Sequence, residues 1–294
     1  MANTEFEQFI QDEVQKDKGV MVPVKAGILE RLLVRKMNVK RMHPNPEDEF
    51  CFPEIGPNLG IITSYVTQFK RNIEKDLPLM DEPLYLQKVR PSGYMLLNGH
   101  HRWAAALRMG LRTVPVSIVN GVFDSDIRVI IEKSDHKKRA TIDLDEVIFR
   151  GPKDPDVEKL PGLFNIALRK KRLRIGVPAL FSYLKKNGYD IWVYSSNYYS
   201  IDDVARYFKR YSAGVDAVIT GMKKKRSDGG SAHAGIEEMI AAKYETTLHI
   251  DNNLLLVTHK GSKEFEEIGI SSQPGEWSKE VITALEGAKI DEEK

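Results

Sequence analysis

The sequence predicts an α/β protein of two domains, and three observations carry that expectation. From Ala140 onward, short apolar runs alternate with stretches of helical period, which implies a mostly parallel sheet covered on both faces. Before Asn120 the pattern differs: two strand-like runs, a turn, then a glycine that opens a helix, as in an α+β layout. A chain of 294 residues is also long enough to build two cores.

Composition sets the class. Hydrophobic residues make up 41% and charged residues 29%, as in ordered globular proteins. The net charge of +2 favours no strongly charged partner. Cys51 is the single cysteine, so no internal disulfide and no cysteine-based zinc cluster is available. No apolar run approaches the roughly 20 residues that span a bilayer, and Met1–Lys18 is polar and acidic, unlike a secretory signal. No membrane contact and a cytoplasmic setting are the resulting expectations. The sequence carries no signal for an oligomeric state.

In chain order, residues 1–20 read as a polar arm with a helical turn or two. A first domain is expected over 21–120. Ile62, Tyr65, Val66, Phe69 and Ile73 form a helical stripe within 60–76. Residues 83–90 and 94–97 read as strands joined at Pro91-Ser92-Gly93, and Val114–Val119 as another. Between them lies Asn98-Gly99-His100-His101-Arg102 and then a helix ending before Gly110. A glycine ahead of a helix N-terminus lets backbone N–H groups approach an anion, and Arg102 and the histidines add donors. The same turn also fits plain packing with surface histidines. Residues 121–139 read as a connector, and 140–294 as the second domain.

That domain is organised around Thr141-Ile142-Asp143-Leu144-Asp145. Residues i and i+2 of a strand point the same way, so Asp143 and Asp145 reach one site at the strand's carboxyl end. Two adjacent carboxylates repel unless a proton or cation lies between them, and Mg²⁺ with its preference for oxygen is a suitable cation. Downstream, Ile191–Tyr194 ends in Ser195-Ser196-Asn197, Val215–Thr220 leads to Lys223-Lys224-Lys225, and Thr247–Ile250 ends in Asp251-Asn252-Asn253. Helices are expected over 176–188, after Ser200-x-x-Asp203, over 231–244 and in the tail from Glu276. Strand ends of a doubly wound sheet converge on one crevice. There, one carboxylate can attack phosphorus and a second can carry protons, while a hydroxyl and an ammonium hold the phosphoryl oxygens. The run Arg169–Arg174 reads either as a solvated face or as a surface for nucleic acid or a phosphorylated substrate.

Two resemblances sharpen this. Leu96–Ala105, with Met42-His43-Pro44-Asn45-Pro46 upstream, resembles the nucleotide-binding motif of the ParB/sulfiredoxin-like superfamily over roughly residues 20–120. Sulfiredoxins have a reactive cysteine where His100 stands, and CTP-binding ParB proteins have a different charge pattern there. The free-serine kinases of the superfamily are nearer. The resemblance implies a nucleotide (ADP, ATP or CTP) at Gly99, His100, His101 and Arg102, and a kinase would also use Glu47 or Glu49 as base. Residues 138–270 resemble the haloacid dehalogenase (HAD) phosphohydrolases. That resemblance implies a Rossmannoid domain in which Asp143 is nucleophile, Asp145 general acid/base and Ser195 a phosphate ligand. Lys224, standing for the cluster 223–225, would hold the phosphoryl group, and Asp143, Asp145 and Asp251 would hold Mg²⁺. The segment between Phe149 and Val177 implies little or no cap. The leading expectation is a Mg²⁺-dependent phosphatase joined to a nucleotide-binding domain. The alternatives are a kinase/phosphatase, and a regulatory or nucleic-acid-associated binding protein without turnover.

Overall fold

The structure is a computed structural model, and it describes residues 3–17, 21–161, 168, 170–221, 234–262, 264–270 and 275–292. The chain divides into two compact units, Met1–Asn120 and Gly121–Lys294. The first unit contains α1 (Asn3–Asp17), β1 (Val22–Pro23), α2 (Ile28–Leu33), β2 (Lys36–Asn38), β3 (Met42–His43), α3 (Leu59–Glu74), β4 (Leu84–Arg90), β5 (Tyr94–Asn98), α4 (His100–Arg108) and β6 (Thr113–Ile118). Its sheet runs β2-β6-β4-β5-β3, with β1 paired to β4. The pairs β4/β6 and β3/β5 are parallel and the others antiparallel.

The arm expected at residues 1–20 is instead α1, a helix of 15 residues. Phe6, Ile10 and Val14, one helical face at i, i+4 and i+8, are buried in the core of the first unit. Many polar residues surround that stripe, so mean polarity conceals it. In α3, Asn58 caps the helix by accepting from Ile61 N, and Ile62 and Phe69 face the core while Ile73 is exposed.

The second unit begins with α5 (Asp124–Lys133), inside the expected connector. Ile127 of α5 is fully buried against Trp192, so these residues belong to the core rather than to a link. There follow β7 (Lys138–Asp143), a π-helical turn at Leu144–Ile148, β8 (Phe149–Arg150), β9 (Arg172–Leu173), α6 (Val177–Lys186), β10 (Tyr189–Ser195), α7 (Ile201–Arg210), β11 (Ala217–Thr220), α8 (Ala234–Lys243), β12 (Thr246–Ile250), β13 (Leu254–His259), β14 (Phe265–Gly269) and α9 (Trp277–Glu292). The main sheet has the order β11-β10-β7-β12-β13-β14. Its first four strands are parallel, and β13 and β14 add antiparallel strands that periodicity had not indicated.

Helices cover both faces. Leu180, Phe181 and Leu184 of α6, Val204 and Phe208 of α7, and Trp277 and Val281 of α9 pack on Ala140, Ile142, Ile191 and Val193. On the other face, Ile127 of α5 and Ile240 of α8 meet Trp192 and Ala217. Four parallel strands with two covered faces make this a mixed α/β fold, as expected. Ser200 is the N-cap residue of α7, although its hydroxyl makes no capping hydrogen bond. No helix among the described residues is long and apolar enough to cross a membrane.

Candidate active site

Because β7, β10, β11 and β12 are parallel, their carboxyl ends lie on one edge, with β7 between β10 and β12. Asp143 ends β7 and pairs in register with Tyr194, the residue before Ser195. The π-helical turn then starts, and Asp143 caps it: its Oδ1 accepts from Asp145 N at 2.7 Å and from Glu146 N at 2.8 Å. Its second oxygen, Oδ2, has no hydrogen-bond partner among the described residues. One oxygen thus fixes the carboxylate plane and the other remains available.

Asp145 is the hub. Its Oδ2 accepts from Ser195 Oγ at 2.6 Å, and its Oδ1 accepts from Tyr199 OH at 2.5 Å and from Lys171 Nζ at 3.0 Å. Burial pushes this carboxyl upward, but the hydrogen bonds from Ser195, Tyr199, Asn197 and Lys171 outweigh it and hold Asp145 below the ordinary carboxylate range. Ser195 is 1% exposed and its Oγ also accepts from Asn197 N at 2.9 Å, which fixes the direction of the hydroxyl. The loop after β10 is tied to the end of β11: Thr220 Oγ1 donates to Tyr199 O at 2.7 Å and Gly221 N donates to Asn197 O at 3.0 Å. Gly221 has φ +73°, and a Cβ there would lie 2.5 Å from the Tyr198 ring, so a glycine is required.

Asp251, just past β12, is exposed, and its Oδ1 accepts from Asn252 N at 2.6 Å. Asn252 stitches two strand ends together. Its Nδ2 donates to Glu146 O at 3.1 Å, and its Oδ1 accepts from Arg174 NH1 at 2.9 Å and Arg150 NH2 at 3.3 Å. Arg174 stacks over Trp277, 4.1 Å from the ring centroid, and Trp277 Nε1 donates to Asp251 O at 3.3 Å.

Sequence reasoning placed Asp143, Asp145, Ser195 and Asp251 at strand ends, and the structure brings the first three together by hydrogen bonds. Lys224, with 223 and 225, lies outside the described residues. Lys171 and Tyr199 were missed. Lys171 sits in the basic run read as a solvated face or ligand surface, next to β9, and its contact with Asp145 is made by tertiary structure.

The Mg²⁺ expectation meets a different geometry. Among the described residues no three His, Cys, Asp or Glu side chains are grouped to hold a metal ion. Asp143 spends Oδ1 on backbone N–H groups, Asp145 spends both oxygens on Ser195, Tyr199 and Lys171, and Asp251 spends Oδ1 on Asn252. Asp143 Oδ2 and Asp251 Oδ2 are left over, and the described residues bring no third such side chain to them.

In the first unit, Gly99 takes φ +100° and opens α4. A Cβ at that position would lie 2.6 Å from Leu84, so the turn needs glycine for space as well as for φ. The side chains expected to hold a nucleotide point inward instead. Arg102 is 8% exposed, and its guanidinium donates to Glu82 O, Pro83 O and Asn98 Oδ1. Nε2 of His100 accepts from Asn45 N at 3.0 Å, which places its proton on Nδ1, 3.5 Å from Asp48 Oδ2. His101 Nε2 accepts from Asn58 N at 3.2 Å, and burial lowers its pKa, partly countered by Asp48. The three side chains clamp the segments around 45 and 58 and the start of β4 onto α4. Signals for this were absent because every partner except Asn98 is distant in sequence.

No protein-family model matches the chain, and no curated protein does. Two solved structures of mutant forms of a free serine kinase align weakly, each at 12% identity. The AMP complex has a TM-score of 0.23 over 84% of this chain and 95% of the kinase chain. The ADP complex has a TM-score of 0.22 over 87% and 96%. Scores this low establish no shared fold.

Proposed function

We propose that the second unit is a phosphohydrolase of the HAD type acting on phosphate monoesters. The observation that carries this reading is the state of Asp143: one oxygen pinned by two backbone N–H groups and the other without a hydrogen-bond partner among the described residues, at the end of a parallel strand flanked by two others. That is the arrangement a carboxylate nucleophile needs. Oδ2 of Asp143 attacks phosphorus as the ester P–O bond breaks, and the alcohol oxygen takes a proton from Asp145. Water then attacks the phosphoaspartate, Asp145 takes the water's proton, and the bond between Asp143 and phosphorus breaks to release inorganic phosphate. Ser195 orients Asp145 from β10. No step is routed through Mg²⁺, since the described residues form no group of three metal-ligating side chains.

Asp143→Asn keeps shape and removes the nucleophile, so turnover of p-nitrophenyl phosphate is expected to vanish while the circular dichroism spectrum stays the same. Asp145→Asn should slow turnover by ~10²–10⁴-fold, the usual worth of general acid/base catalysis. An Asp143→Asn variant as fast as the parent sinks the reading.

A second reading, kinase activity in the first unit, rests on the Gly99 turn. The first turn of α4 offers backbone N–H groups that lack helical acceptors, a suitable place for a nucleotide phosphate. The inward-turned Arg102 argues that the backbone, and not this side chain, would hold it. Heat on titrating ADP, ATP or CTP that survives Asp143→Asn would support this reading, and no heat with any of them would remove it.

A further inference from the structure

The first unit holds a cavity of about 460 Å³ whose wall gathers cations. We propose that this cavity binds a small oxyanion with at least two negative charges, a phosphorylated or polycarboxylate molecule, gripped by Arg41, Lys88 and Arg90. It is separate from the Gly99 turn: Tyr94, in its wall, begins β5, and Gly99 follows the other end of that strand, about 14 Å away at the usual rise per residue. It also does not depend on the chemistry proposed for the second unit.

Strand alternation and pairing bring these groups together. Beyond Leu86, which is buried in the core, the same face of β4 carries Lys88 and then Arg90. Tyr94 lies opposite Lys88 in the antiparallel pair, and Met42, the residue after Arg41, lies opposite Tyr94 in the parallel one. Glu30 of α2 accepts from Lys88 Nζ at 2.8 Å and from Tyr94 OH. Burial pushes the Glu30 carboxyl upward, but the hydrogen bonds from Lys88 and Tyr94 outweigh it and hold it below the ordinary range. Burial and the bond to Glu30 push Tyr94 up to about 12, so its hydroxyl keeps its proton and donates. The buried Tyr94 ring is fixed in this way, and the Arg41 guanidinium lies 5.4 Å from its centroid. His43 Nε2 donates to Ser92 O at 3.2 Å and pins the turn that completes the wall.

A solvated basic face is the competing account, since Arg41 and Arg90 are exposed. Three facts weigh against it. The cations come from three separate stretches of chain, around residues 25, 41 and 90, so no single strand or helix face accounts for their meeting. Lys25, Arg41, Lys88 and Arg90 share the wall with one carboxylate, Glu30, which Lys88 and Tyr94 already occupy. The guanidinium groups of Arg41 and Arg90 have no hydrogen-bond or carboxylate partner among the described residues. Like charges gathered around one cavity repel, and an anion between them removes that cost. Each guanidinium offers a planar fork that matches carboxylate or phosphate oxygens. The volume falls within the roughly 300–1,000 Å³ of small-molecule sites, so an organic anion fits rather than only a bare ion.

Calorimetry on the full chain at fixed ionic strength, with pyrophosphate and citrate as probes, tests this. The parent chain should bind at least one of them at millimolar concentration, and the tighter of the two tells a phosphorylated ligand from a polycarboxylate. Arg41→Gln and Arg90→Gln each remove a charge-assisted hydrogen bond and should each raise the Kd by roughly tenfold or more. Lys70→Gln removes the same charge from the exposed side of α3 and should change the Kd little, because solvent and salt screen a charge outside the cavity. Urea midpoints confirm that the variants fold, and Arg90→Gln carries the test if loss of the Arg41 stack on Tyr94 impairs folding. No binding of either probe by the parent at millimolar concentration overturns the proposal. So does a Kd unchanged in both arginine variants, which would place the anion at the Gly99 turn or in the second unit's crevice. An equal loss in Lys70→Gln would mark diffuse surface charge and overturn it too.

Discussion

At the scale of single residues, Asp145 sets the pH behaviour of the proposed chemistry. A general acid must be protonated in the free enzyme, and the hydrogen bonds on Asp145 favour its ionised form. As pH rises through a lowered pKa the acid is lost, so the falling limb of kcat/KM is expected on the acidic side of the ordinary carboxylate range of about 4. A pH profile that stays flat from acid to neutral pH would contradict this. In the first unit, His101 gives a stability prediction. Its folded pKa is lowered by burial, so its contribution is present above the unfolded pKa and is lost as pH falls through the folded one. Protonation also ends the hydrogen bond it accepts from Asn58 N. The urea midpoint of the first unit should therefore fall between about pH 7 and pH 5, around the unperturbed histidine value. In His101→Gln that fall should flatten, and an equal slope in the variant would assign it to other groups.

At the scale of elements, α1 and the β8–β9 hairpin show how a short piece of chain takes its meaning from its neighbours. Without the first unit's core, α1 would be a marginal polar helix of 15 residues. Phe6 and Ile10, at 2% and 0% exposure, make it part of that core. Ile10→Ala should cost about 2–5 kcal/mol, the range for emptying a buried aliphatic site, read by chemical denaturation. A cost near zero would return residues 3–17 to the status of a dispensable arm. The hairpin is shorter still, two residues per strand. Lys171 directly precedes β9, and its ammonium lies beside the rings of Phe149 and Tyr199.

At the scale of the whole molecule, each unit has its own buried clusters: one from Phe6 to Ile118, the others from Ile127 onward. Truncating Leu84 or Leu184 to alanine, both fully buried, should loosen amide protection chiefly within the unit that holds it. Hydrogen-exchange mass spectrometry checks this, and equal loss of protection in both units would show a single cooperative block. The α9 helix is the long-range brace of the proposed site. Trp277 is buried in the second unit's core while its indole N–H holds Asp251 O and its face carries Arg174.

Much of the second unit was legible in the residues because a parallel strand buried on both faces is a run of apolar side chains, and such runs end where chemistry begins. Ile191–Tyr194 and Thr247–Ile250 announced β10 and β12 in this way, and the acid pair marked the end of β7. β13 and β14 did not show, since only one face of each meets the core and β14 is almost wholly exposed. The glycine at 99 was also legible, because only that residue tolerates the turn's φ and the approach of Leu84. What Arg102, His100 and His101 do was not. A guanidinium and two imidazoles have the same letters whether they face a phosphate or the backbone, and here the guanidinium meets the carbonyls of Glu82 and Pro83 and the imidazoles meet the N–H groups of Asn45 and Asn58. Lys171 reached Asp145 by the same kind of decision. Sequence determines which groups are available and where strands end, whereas the partner of each charge is settled by distances between segments far apart in the chain.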